Sequence, residues 1–110
     1  MSDNIDDRTV WDDDLAQRLI GKVMLVGLTY MDVEGAVVEQ QQFFGQVVSV
    51  DRCKGILVAL SGVRSGEHFN LPPDTRAIDT AAPGEYRLRA TGDVAVNPDY
   101  TAVFSITKAP

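Results

Sequence analysis

The chain contains one cysteine, one histidine and one tryptophan, and each scarcity closes off a class of function. A lone Cys53 cannot form an intrachain disulfide, so a small oxidised scaffold of the secreted type is excluded. A lone His68 removes histidine pairs and His-rich metal sites. No apolar run approaches the roughly 20 residues that a membrane-crossing helix needs; the longest, Val23 to Leu28, has the length of a strand and contains a glycine. The first eight residues lack both the basic start and the apolar core of a secretory signal, so the expected location is the cytoplasm. Basic residues are also few. Ten Lys and Arg against sixteen Asp and Glu leave a net charge of −6. That charge repels phosphate backbones at long range and makes nucleic acid an unfavoured partner.

What is present is ordinary for a globular protein. Of 110 residues, 45% are hydrophobic and 24% charged, enough for one core of usual size without staples. The acids are unevenly placed. Asp3, Asp6, Asp7, Asp12, Asp13 and Asp14 lie within the first fourteen residues, so residues 1–8 read as a disordered acidic tail and 9–110 as the folded domain. Asp12 to Ile20 carries acids in its first turn and Arg18 near its end, with Gly21 following. This pattern predicts a short helix whose Trp11, Leu15, Leu19 and Ile20 share one face.

From Lys22 onward the dominant period is two. Lys22 to Asp32 reads as a strand with Met24, Val26, Leu28 and Tyr30 on one side, and Val33-Glu34-Gly35 supplies a turn. The return strand, Ala36 to Asp51, is long enough to need a bend, which the sequence places at Phe43-Phe44-Gly45. A turn at Arg52 to Lys54 leads to Gly55–Leu60, apolar on both faces. Glu67 to Leu71 alternates until Pro72-Pro73 ends pairing, and Asp74 is placed to cap a helical turn. Glu85 to Ala90 and Tyr100 to Thr107 read as a C-terminal strand pair. The expected fold is therefore all-β: a small SH3-like antiparallel β-barrel with a short N-terminal helix and a C-terminal strand pair.

No nucleophile with a base, no metal-ligand spacing and no phosphate loop occurs in the chain, so neither catalytic residues, a metal site nor a cofactor is expected. Glu67 beside His68 is the nearest approach to a general-base pair. Asp12, Asp13 and Asp14 are helix-start charges, because consecutive helical residues point 100° apart and do not converge on an ion. Arg52 and Lys54 flank Cys53, which has no acid or histidine beside it in sequence and is expected to be an incidental turn residue.

Two stretches suit recognition. Gln40 and Gln42 put amides beside Phe43, a surface fit for a peptide edge or a stacked base. Arg87 and Arg89, two apart on one strand, can together meet carboxylates or phosphates, with Arg76 joining them if its loop folds back. These five residues, Gln40, Gln42, Phe43, Arg87 and Arg89, form the candidate partner site.

Gly45-Gln-Val-Val-Ser-Val-Asp and Gly55-Ile-Leu-Val-Ala-Leu resemble the strand pair of SH3-like barrels, including the KOW-type and Sm-like modules that bind RNA or protein. Those modules present a basic loop, whereas here only Arg52 and Lys54 are near. More broadly, Leu19-Ile-Gly-Lys-Val-Met-Leu-Val-Gly-Leu-Thr-Tyr, Glu39-Gln-Gln-Gln-Phe, Phe69-Asn-Leu-Pro-Pro-Asp, Pro83-Gly-Glu-Tyr-Arg-Leu-Arg and Asn97-Pro-Asp-Tyr resemble a family of small bacterial proteins, a likeness that implies no activity. The expected function is a non-enzymatic protein-interaction module of inhibitor or immunity type, a monomer or an edge-strand homodimer with an unknown protein partner. The alternatives are single-stranded nucleic-acid binding and small-molecule binding at the barrel mouth beneath Trp11.

Overall fold

A computed structural model describes residues 10–108; the acidic tail expected over residues 1–8 lies outside them. Among the described residues helix α1 (Asp13–Leu19) precedes eight strands: β1 (Val23–Met31), β2 (Val37–Asp51), β3 (Gly55–Leu60), β4 (His68–Leu71), β5 (Ile78–Thr80), β6 (Glu85–Arg87), β7 (Val94–Val96) and β8 (Tyr100–Thr107). Single 3-10 turns occupy Gly62–Arg64 and Thr75–Ala77. None of the described helices is long and apolar enough to cross a membrane.

The strands form a six-stranded sheet in the order β4-β3-β2-β1-β8-β5 and a separate β6-β7 pair. Every pairing is antiparallel except β1 with β8. Here the expected closed barrel is corrected. The end strands β4 and β5 do not pair with each other, so the sheet is open among the described residues. The expected C-terminal pair also changes. Glu85–Arg87 pairs with Val94–Val96, and Tyr100–Thr107 instead lies parallel to β1. A parallel neighbour needs a long crossover, which the chain from β2 through β7 provides.

Alternation in β1 builds the core. Met24, Val26 and Leu28 are fully buried on the inner face, as expected, together with Phe43 and Val47 of β2, Ile56 and Val58 of β3, and Leu71 of β4. Each such side chain contributes roughly 1.5–3 kcal/mol by leaving water. α1 closes this face with Ala16 and Leu19, both fully buried, and with Trp11 just before it. At seven residues the helix is too short to persist by itself, and its ends are specified locally. Asp12 caps it by accepting from Leu15 N at 3.2 Å, and Gly21 leaves it at φ 82°. Ile20, expected on the buried stripe, is 44% exposed because the helix has already ended.

The bend in β2 has a different origin from the one expected. One irregularity lies between Val47 and Ser49, where the extra residue, Val48, turns outward to solvent, and a second, against β1, lies at Val38. Gly45 stays in register between Met24 and Leu60. Its role is close approach: a Cβ there would collide with the backbone of Ala59 and Leu60.

Thr75 is the one polar residue buried among the described ones, 5% exposed, and it ties the chain before α1 to the 3-10 turn. Its Oγ1 accepts from Asp12 N at 2.9 Å and donates to Val10 O at 3.1 Å. Thr75→Val keeps the shape and orphans both groups, so urea unfolding is expected to show a loss of about 1–3 kcal/mol. Thr75→Ser, which keeps the hydroxyl, should recover most of it.

Candidate functional site

Between its two register shifts, from Gln40 to Gln46, β2 puts its even-numbered side chains on the outer face of the sheet, beside the odd-numbered ones of β1. Gln42 stands across from Gly27, which faces Val103 of β8; one step along, Gln40 stands across from Thr29 and Ser105. In the middle of the Gln42 row there is no side chain. Gly27 has ordinary strand geometry, without a positive φ, and nothing lies within 4 Å of where its Cβ would be. Neither a turn nor a crowded neighbour calls for glycine here, and glycine inside a strand is unfavourable. Its effect is to leave a hollow.

The β6-β7 hairpin roofs one side of that hollow. Leu88 and Ala95 are buried apart from the main core, and the loop between them is closed by Leu88 N to Asp93 O and Gly92 N to Leu88 O, both 2.8 Å. Asp93 Oδ2 fixes the loop by accepting from Val63 N at 3.0 Å and from Thr91 Oγ1 at 3.1 Å. Across the hollow, Arg89 N donates to Gln42 Oε1 at 3.2 Å. The result is a cleft of about 540 Å³ with Gly27 and Thr29 in its floor, Gln40 and Gln42 along one wall, and Arg89 and Val103 among its rim residues.

The cleft is rich in hydrogen-bond donors. Gln42 spends its carbonyl on the Arg89 amide and so turns its NH₂ outward, and Gln40 is exposed beside it. Among the described residues the Arg89 guanidinium makes no ion pair. Glu39 lies on the opposite face, where the Gln41 amide (2.8 Å) and Lys108 (3.2 Å) hold its carboxyl below the ordinary carboxylate range.

Of the five sequence-predicted residues, Gln40, Gln42 and Arg89 come together in this cleft. Phe43 does not. It points to the inner face, 2% exposed, with its ring 5.0 Å from that of Phe69 and the Arg64 guanidinium 5.2 Å from its centroid. Arg87 is also absent from the cleft lining: β6 ends at Arg87, so strand alternation does not extend to Arg89, which sits in the following turn. Arg76 is bound locally to Asp74, at 2.7 Å, and that pairing lowers the Asp74 pKa. Glu67 is engaged by Arg64 at 3.0 Å rather than by His68. Asp13 accepts from Trp11 Nε1 at 2.7 Å, and Asp12 is the helix cap. Among the lining residues missed from sequence are Gly27, Thr29, Ala90 and Val103. A signal for the first was present, a glycine interrupting an otherwise apolar strand.

A second hollow, about 140 Å³, lies between Val10, Trp11, Arg52 and Cys53. It is smaller than the roughly 300–1,000 Å³ usual for small-molecule sites. No protein-family model, curated protein or solved structure matches this chain.

Proposed function

We propose that the protein is a non-enzymatic interaction module of the cytoplasm that seats an acidic segment of a partner protein in the cleft above Gly27. The observation that carries this is the glycine itself: a residue costly to a strand, required by neither backbone nor packing, placed where its missing side chain forms the cleft floor. Arg89 and the outward amides of Gln42 and Gln40 are the donors for a carboxylate, and such charge-assisted bonds are the stronger kind. An inhibitor or immunity protein is one form of such a module. We keep kinship with SH3-like barrels in this proposal on the strength of the four-strand meander β1 to β4. The nucleic-acid alternative is weakened by the burial of Phe43, which was to be its stacking platform. The alternative site beneath Trp11 is weakened by the small size of that hollow.

Gly27→Val tests the proposal, because it fills the floor while giving the strand a residue that favours strands. Stability to urea should be unchanged or higher by up to about 1 kcal/mol. A photo-crosslinker at Val103, on the cleft rim, should give a discrete adduct with a cellular protein, and Gly27→Val should reduce that adduct at least tenfold, roughly the effect of 1.4 kcal/mol. An adduct indifferent to both Gly27→Val and Arg89→Glu would refute the assignment.

A further inference from the structure

β2 is much longer than the strand beside it. β3 pairs only with Gly45 to Asp51, so the same side of Val38 to Phe44 has no strand partner among the described residues. The direction of the polar groups there follows from one bond: Phe44 O accepts from Ser61 N, on the β3 side. Because N–H and C=O alternate in direction along a strand, those of Gln42 and Gln40 point the same way, into solvent. The register with β1 is unbroken from Glu39 to Gln46, so the alternation holds through this stretch.

Natural sheets blunt such edges with short strands, proline, lysine or bulges. The two outer edges of the sheet are blunted: β4 has four residues and runs into Pro72-Pro73, and β5 has three. From Glu39 to Gln42 the exposed stretch of β2 has none of these devices; the register shift against β1 at Val38 lies just before it. Between Val38 and Gln42 the only charge is Glu39, on the inner face and held by Gln41 and Lys108. Val37 and Val38 are 57% and 54% exposed.

We propose that a second copy of this chain adds to the free edge of β2, antiparallel about a two-fold axis passing at Gln40. The segment is self-complementary in that arrangement. Gln40 faces Gln40, an outward-pointing residue and hence a pair that exchanges both backbone bonds, while Glu39 faces Gln41 and no two like charges meet. Paired residues share a face, so the two Gln40 side chains lie side by side on the outer surface and the two Gly27 clefts become one trough with an Arg89 toward each end. The contact is small and each copy carries −6, so the association is weak and strengthens with salt. The inference stands apart from whatever occupies the cleft.

Sedimentation velocity from ~10 µM to ~1 mM tests it with two variants of an exposed residue, Gln40→Lys and Gln40→Glu, whose folding is checked by circular dichroism. Wild type should dimerise within this range, more tightly at higher salt. Each variant places like charges face to face and should raise Kd about tenfold or more. An equimolar mixture of the two should restore the dimer, which only pairing of position 40 with itself explains. A wild type monomeric throughout would leave the edge to a different chain and overturn the inference. So would a dimer that both variants leave intact, or variants that fail to recover on mixing.

Discussion

Gly45→Ala is expected to unfold the protein, or to lower its stability by at least about 3 kcal/mol. The added methyl would be driven into the carbonyl of Ala59 and the Cα of Leu60. Both are backbone atoms of β3, and both are fixed by pairing: Gly45 with Leu60, Gln46 with Ala59. A flexible side chain could swing aside, whereas here β3 as a whole would have to retreat. Ile56, Val58 and Leu60 would withdraw with it from the core they share with Phe43 and Val47. The measurement is a urea titration followed by Trp11 fluorescence, with Gly27→Ala as control. Both substitutions add one methyl to a strand glycine without a positive φ, but Gly27 has open space above it. A Gly45→Ala midpoint equal to that of Gly27→Ala would mean that β2 and β3 do not approach closely at this point.

The pair of glycines also marks how far the sequence was legible. Local signals read true. The short helix α1 with acids at its start, the alternation of Met24, Val26 and Leu28, the turn at Arg52 to Lys54 and the Asp74 cap each depend on residues a few positions apart, and each stands in the structure. What failed were inferences about partners distant in sequence. Nothing in Tyr100 to Thr107 says that its neighbour is β1 or that the two run parallel, because strand alternation is the same whichever neighbour the edge meets. Gly45 was legible as special, but a bulge and a close crossing demand the same residue, and only the position of β3 separates them. Arg87 and Arg89 share a strand face only if the strand continues, and β6 stops at Arg87. The cleft was half visible for the same reason: Gln40 and Gln42 belong to one strand, while Gly27, Arg89 and Val103 reach them through three separate pairings or bonds.

Phe43→Ala is the second large effect, and it separates two roles that the sequence left in competition. In a strand of alternating faces, one of two adjacent aromatics must point inward, and the choice is set by register with β1. Phe43 pairs with the buried Val26, so it faces the core, and Phe44 with Leu25 faces the other way. Truncating a side chain that is 2% exposed removes its transfer free energy and leaves a cavity, about 3–5 kcal/mol in all. The tilted contact with Phe69 and the Arg64 guanidinium over the ring add to the loss. For a chain of this size, whose total stability is roughly 5–15 kcal/mol, that is a large share, and the urea midpoint should fall accordingly. Arg64 supplies an internal check. Its guanidinium is held by Glu67 at 3.0 Å, so Arg64→Ala should cost little in a Phe43→Leu background and about 0.5–1 kcal/mol more in wild type. Were Phe43 instead a contact for a partner, its removal would leave the midpoint within about 0.5 kcal/mol of wild type and abolish the Val103 crosslink, the opposite pattern to the one expected.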